Sequence, residues 1–204
     1  MTNIEYPQSL TQGLSRTELL NHLQNRLDDA RFQHCLRVET TARQLAQRFD
    51  ADVDRAGLAG LLHDYAKQIP VEEYRRVIVE NGFDPALLQY NRGVWHGIVG
   101  TWFIKTETGI MDHEVLQAIE RHTTGDPEMT VLDQIIFVAD FIEPARTLDA
   151  EVQARKAAET NLELASFIEM KNTLQYLIGS ELTVYPKTLL TYNAFLKKTQ
   201  AARA

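Results

Sequence analysis

The run Leu61-Leu62-His63-Asp64-Tyr65-Ala66-Lys67 sets an adjacent histidine and carboxylate, followed by a lysine, inside an otherwise apolar helical segment. Leu58, Ala59, Leu61, Leu62, Tyr65, Ala66 and Ile69 recur at helical spacing, which predicts a largely buried stretch. Buried polar groups without partners cost on the order of 1 to 3 kcal/mol when neutral and far more when charged. Any fold of this chain must therefore answer the His-Asp pair with a hydrogen-bond network or a metal ion.

The rest of the chain reads as helices. Beyond an irregular start, Ser15 with Glu18 forms a capping box that opens a helix through Leu19, Leu20, Leu23 and Leu27. A longer helix is predicted from about Ala30 to Phe49, with Arg31 and His34 as neighbours on one face. Asp52 caps a third helix, which carries His63, Asp64 and Lys67 and stops before Pro70. Val71 to Asn81 follows, then a short turn at Asp84-Pro85. A loop at Asn91-Arg92-Gly93 leads into a helix from Trp95 to about Lys105. Asp112 caps a helix from His113 to Arg121, and Thr130 opens another from Val131 to Ile142. A single long helix is predicted from about Ala150 to Gly179, and Pro186 starts a last one that ends in a polar tail. No stretch alternates as a strand would, so the fold class is an all-α bundle. At 204 residues and 44% hydrophobic content, residues 1–204 are expected to form a single domain. The helices from about 150 to 200 either cover the bundle or offer a homodimer surface.

Composition narrows the partners. A net charge of -7 argues against a broad basic surface for nucleic acid or anionic membrane, while leaving room for a local cationic pocket. The single cysteine, Cys35, excludes an intramolecular disulfide framework and a cysteine-rich zinc site, and reads as buried filler. No run of about 18 apolar residues and no signal-peptide core is present, so the expected compartment is the cytoplasm.

Of the six histidines, His34, His63, His96 and His122 sit at helix positions or ends among apolar residues, as do Asp64 and Asp140. Histidine and carboxylate ligands without thiolates suit iron, manganese or zinc. Taken singly, each has a plainer reading: His96 as a hydrogen-bonded core residue or helix cap, Asp133 as a solvated carboxylate favoured by the helix dipole. His22 and His113 fall on surface-like stretches and receive no role. Spacing alone leaves a metal site and a structural network both open.

The particular strings go further. His34, the pair His63-Asp64 and the distant Asp140 resemble the signature of HD-domain metal-dependent phosphohydrolases. Arg31-Phe32-Gln33-His34, Leu62-His63-Asp64-Tyr65-Ala66-Lys67, Trp95-His96-Gly97, His122-Thr123-Thr124-Gly125 and Ala139-Asp140-Phe141-Ile142-Glu143-Pro144-Ala145-Arg146 resemble, within them, the YqeK-type symmetrical bis(5'-nucleosyl)-tetraphosphatases. The resemblance implies an HD-type helical bundle that splits diadenosine tetraphosphate into two molecules of ADP. It implies two divalent ions, with iron first and manganese or another transition metal next. His34, His63, Asp64 and Asp140 would be the core ligands, with Asp64 bridging and acting in catalysis. His96 and His122 would complete the second ion's shell or reach the phosphates. Arg31, Lys67, Thr123 and Arg146 would contact phosphates, with Lys67 also catalytic, and Phe141 would line the nucleotide pocket.

The chemistry suits the groups. Metal coordination lowers the pKa of water from 15.7 to about 7 and offsets the repulsion of a polyphosphate, and Lys67, Arg31 and Arg146 would neutralise its oxygens. The plainer reading of each basic residue is a salt bridge or a solvated cation. The alternatives at this level are a broader HD nucleotidase or phosphodiesterase, and a nucleotide-sensing module without turnover.

Overall fold

The computed structural model describes residues 4–201, and no strand occurs among them. The first part of the irregular start (1–3) and the end of the polar tail (202–204) lie outside the described residues. The helices are α1 Gln8–Thr11, α2 Arg16–Gln24, α3 Asp29–Arg48, α4 Val53–Leu62, α5 Val71–Glu80, α6 Arg92–Ile98, α7 Gly100–Thr108, α8 His113–Arg121, α9 Val131–Ile142, α10 Asp149–Ala157, α11 Leu162–Gly179 and α12 Pro186–Ala201, with a 3-10 turn at Pro85–Gln89. Side chains cap many of the starts: Ser15 with Glu18, Asp28, Asp52, Asn91, Asp112, Thr130 with Asp133, and Asn161. Each such oxygen satisfies an amide that the helix itself leaves open.

Two contacts position the site. Helices α3 and α4 approach closely because Gly60 has no side chain; a Cβ there would lie 3.0 Å from that of Ala42 and 3.1 Å from the Val38 carbonyl. Val38, Ala42, Leu45 and Ala46 bury against Ala56, Leu58, Ala59 and Leu61, and this brings His34 beside His63. Helix α9 is apolar nearly all round, as a helix enclosed on every side must be. Leu132, Ile135, Ile136, Phe137, Val138 and Ala139 are all buried, each at about 1.5 to 3 kcal/mol for a large side chain. Helices α3, α4, α8, α10 and α11 surround it, which leaves Asp140 at its end facing the α3–α4 pair.

The structure differs from the sequence expectation at several helix ends. The third helix stops at Leu62, and His63 to Gln68 continue as tight turns, with Tyr65 N–H donating to the Leu62 carbonyl and Lys67 N–H to that of Asp64. The His63 ring takes the Gly60 carbonyl at 2.8 Å, the acceptor an α-helix would offer to the Asp64 amide. Turns of three residues eclipse side chains at i and i+3, so Lys67 stands over Asp64. The helix expected from Trp95 to Lys105 begins at Arg92 and breaks at Val99. The long helix expected from Ala150 is two helices, because Asn161 accepts from the Leu164 amide and starts α11 afresh. Part of the start, Gln8–Thr11, is a helical turn. Asp133 is not solvated: it is 0% exposed and paired with Arg121 Nη1 at 2.7 Å.

Candidate metal centre

Four histidines meet at the junction of α3, α4, α6, α8 and α9, each buried, and each turning the same ring atom inward. The Nδ1 of His63 faces the Gly60 carbonyl at 2.8 Å, that of His96 the Arg92 carbonyl at 2.7 Å, and that of His122 the Ile119 carbonyl at 2.6 Å. A carbonyl only accepts, so each Nδ1 carries a proton and donates it. His34 Nδ1 lies 3.2 Å from Glu143 Oε1 and donates likewise. Two of the four acceptors, the Gly60 and Ile119 carbonyls, lie in the last turn of the histidine's own helix, where helix geometry leaves carbonyls without an i+4 amide.

In the neutral ring this leaves the Nε2 lone pair free, and all four Nε2 atoms converge. His34 Nε2 is 3.2 Å from His63 Nε2, and His96 Nε2 is 3.1 Å from His122 Nε2. Asp140 Oδ1 joins the first pair at 3.0 Å from His34 Nε2 and 3.8 Å from His63 Nε2. Asp64 stands between the pairs. Its Oδ2 is 3.4 Å from His63 Nε2 and 3.7 Å from His34 Nε2, while its Oδ1 is 3.2 Å from His96 Nε2 and 3.8 Å from His122 Nε2. Asp64 Oδ1 is buried and has no hydrogen-bond partner among the described residues.

The donor set fits divalent ions. A proton bridges two acceptors, whereas each of these clusters gathers three or more, which is what coordination requires. The triplets His34, His63, Asp64 and Asp64, His96, His122 each offer ligand atoms within 4.8 Å of one another and share only Asp64. A third triplet, His63, His122 and Asp140, links them.

Electrostatics agrees with the geometry. Burial alone would raise the Asp64 carboxyl, but the polar His63 ring, the Lys67 charge and the His122 ring beside it hold it well below the usual carboxylate range. Asp140 is likewise held low against its burial, chiefly by the His34 ring 3.0 Å away and by His63 beyond it. Burial, then the Lys67 charge, pushes His96 down to about 4. Around these groups stand the cations: Arg31 Nη1 donates to Asp64 Oδ2 at 2.8 Å, Lys67 Nζ lies 3.5 Å from Asp64 Oδ1, and Arg146 Nη2 lies 3.4 Å from Asp140 Oδ1. Thr123 Oγ1 and Arg146 Nε are buried with no hydrogen-bond partner among the described residues. Phe141 is half-buried and packs against the core.

Glu143 received no role from the sequence. It is 2% exposed, accepts from Arg37 Nε at 2.6 Å and from the Ala145 amide at 2.8 Å, and orients His34 through Nδ1. Burial opposes its ionisation, yet the Arg37 hydrogen bond and the others bring its carboxyl down to about 2. A carboxylate behind a ligating histidine fixes its tautomer and raises its basicity. The only sequence signal was its place in the Asp140–Arg146 string, where Glu143-Pro144 reads as a helix stop.

A model of the HD domain matches residues 31–145. This chain belongs to the HD-domain family. The match opens at Arg31 and closes just short of Arg146, so it encloses all six candidate ligands of the HD site. The HD chain is 40% identical over 180 residues to a protein named bis(5'-nucleosyl)-tetraphosphatase, symmetrical, from Bacillus subtilis, covering 88% of this chain and 97% of that one. A protein of the same name from Halalkalibacterium halodurans is 38% identical over 183 residues, covering 90% and 98%. The HD fold also matches the crystal structure of a "predicted HD superfamily hydrolase involved in NAD metabolism" from Clostridium acetobutylicum, with a TM-score of 0.86, 34% identity, and 91% and 98% of the two chains covered. These alignments extend well beyond the HD segment, so the helices after residue 145 belong to the shared architecture.

Proposed function

We infer that this protein is a metal-dependent hydrolase that splits diadenosine tetraphosphate and related dinucleoside tetraphosphates symmetrically into two nucleoside diphosphates. The observation that carries the chemistry is the convergence of four Nε2 atoms, each on a ring whose Nδ1 is already engaged, on the two oxygens of Asp64. The substrate follows from the names and near-full coverage of the relatives. His34, His63, Asp64 and Asp140 would hold one ion, and Asp64, His96 and His122 a second. Iron is the first candidate and manganese or another transition metal the next, as the family resemblance implies; imidazole and carboxylate ligands without thiolate are compatible with each. Such ions, when bound, supply Lewis acidity and acidify a coordinated water.

The chain's own residues do the rest. A tetraphosphate carries several negative charges, and Lys67, Arg31 and Arg146 ring the site to bind and orient it. Lys67, on the turn above Asp64, would stabilise charge developing on the bridging oxygen that departs with ADP. The buried Thr123 hydroxyl has a donor to spare for a nonbridging oxygen, and Phe141 offers a ring for the nucleoside. Attack at a phosphorus beside the central bridging oxygen gives two ADP. We propose that residues 1–204 act as one domain, with no nucleic-acid or membrane partner, in the cytoplasm; among the described residues no helix is long and apolar enough to cross a membrane. A homodimer through the C-terminal helices is compatible with Tyr176, Ile178, Leu189 and Leu190, which are exposed.

The test is elemental analysis of protein purified without chelator, paired with chromatography of the products from diadenosine tetraphosphate. Two ADP per substrate supports the reading; ATP plus AMP sinks it, and phosphate released from mononucleotides points to a broader nucleotidase.

A further inference from the structure

Arg155 lies on α10, beyond the last residue of the HD match, yet its side chain is committed wholly to the backbone beside the metal centre. Its Nε donates to the Ile142 carbonyl at 2.9 Å, and its Nη2 lies within hydrogen-bond distance of the carbonyls of Ile142, Glu143 and Arg146, at 2.7, 3.1 and 2.8 Å. These carbonyls end α9 and form the turn after it. The Glu143 backbone held in this way carries the carboxylate that receives His34 Nδ1–H, and the Arg146 backbone carries the guanidinium beside Asp140. The same turn is closed by the Arg146 amide donating to the Glu143 carbonyl at 2.8 Å.

We propose that Arg155 is a positioning residue for the metal centre, which holds the Ile142–Arg146 turn so that Glu143 aims His34 Nε2 inward and Arg146 stays at Asp140. The inference rests on reading the histidine–aspartate cluster as a metal centre. It gives the C-terminal helices a part in the site: α10 supplies a clamp the HD segment lacks. A positive charge alone would suit the helix end, since the carbonyls there carry partial negative charge. The planar fork of arginine does more, because only it reaches three carbonyls at once. That difference separates a positioning role from simple anchoring.

The experiment compares Arg155→Lys, Arg155→Ala, Glu143→Gln and the Arg155→Lys/Glu143→Gln double variant as metal-loaded full-length proteins. Metal release to a chelator, kcat and KM are measured below the melting temperature of every variant. Arg155→Lys is expected to fold, to release metal at least fivefold faster, and to lose at least fivefold in kcat with KM changed less than twofold. Its effect on metal release should be smaller in the Glu143→Gln background, since both changes break the same path to His34. Wild-type metal retention in Arg155→Lys, or effects that simply multiply in the double variant, would overturn the proposal and leave Arg155 a structural staple. If Arg155→Ala does not fold, the lysine variant and the double variant still decide. A wild-type protein that binds no metal would instead sink the metal-centre reading, whatever the variants do.

Discussion

Lys67 Nζ lies 2.9 Å from His96 Nε2, the ring nitrogen that the Arg92 carbonyl leaves without a proton. An ammonium can donate there, and so stands in the direction from which a divalent ion would take the same lone pair. Lys67 is about a third exposed while His96 is buried, so the lysine can swing toward a phosphate once its place is taken. Lys67→Ala should therefore keep its metal and lose turnover by roughly 100- to 1000-fold, the range for removing one preorganised charge stabiliser. Elemental analysis beside steady-state kinetics checks it; loss of metal with the lysine would mean that Lys67 supports the ligands and not the substrate.

Asp64 offers one oxygen to each half of the cluster, whereas His96 belongs only to the half it shares with His122. His96→Ala should lower bound metal from two ions per chain toward one, and Asp64→Ala should remove nearly all of it and abolish hydrolysis. Full activity in a folded Asp64→Ala protein would contradict the assignment outright.

Metal-free protein should lose stability in mild acid. Burial and the Lys67 charge bring His96 to about 4, below the 6.5 of a free imidazole. Between those values the unfolded chain takes up a proton that the folded chain refuses. The contribution is complete above pH 6.5, declines as pH falls to about 4, and is flat below; it amounts to on the order of 3 kcal/mol. Asp64 and Asp140, held below the usual carboxylate range, add losses of the same sign at lower pH. Urea midpoints of chelator-treated protein at pH 7, 6 and 5 measure the slope, and His96→Asn should flatten it. Equal midpoints across that range in the native sequence would refute the assignment.

Gly97 lets α6 lie against the end of α8. A Cβ at Gly97 would sit 2.9 Å from the Glu120 carbonyl and 3.1 Å from Thr123 Oγ1, with backbone that cannot yield. Gly97→Ala should cost about 1 to 3 kcal/mol and pull His96 from His122, weakening the second ion more than the first. Gly57→Ala is the contrast, because the atoms nearest its Cβ belong to the Arg43 side chain and not to backbone. Thermal unfolding and metal content of the two variants should differ accordingly.

The helices were legible because apolar spacing and caps such as Ser15, Asp52, Asp112 and Thr130 carry local signals. Their ends were less so. His63 bonds to the Gly60 carbonyl and tightens the chain at Leu62, and no residue letter records a ring reaching back to backbone. The same blindness hid what orients the histidines, since three of their four acceptors are main-chain oxygens. Glu143 escaped notice because a carboxylate before proline reads as a helix stop, and its partners Arg37 and His34 lie more than a hundred residues away in sequence. Asp133 was misread for the same reason: its place in the first turn of α9 suited a solvated cap, while the Arg121 that buries it comes from α8.

The two-faced carboxylate of Asp64 has a consequence for supply. On the two-ion reading, like-charged ions sharing this one anion would repel each other, and the second would be held less firmly than the first. As the available ion becomes scarce, the looser half would empty early. Metal content and activity would then part company, with catalysis gone while half of the metal is still in place, so that the loosely held ion alone meters the enzyme.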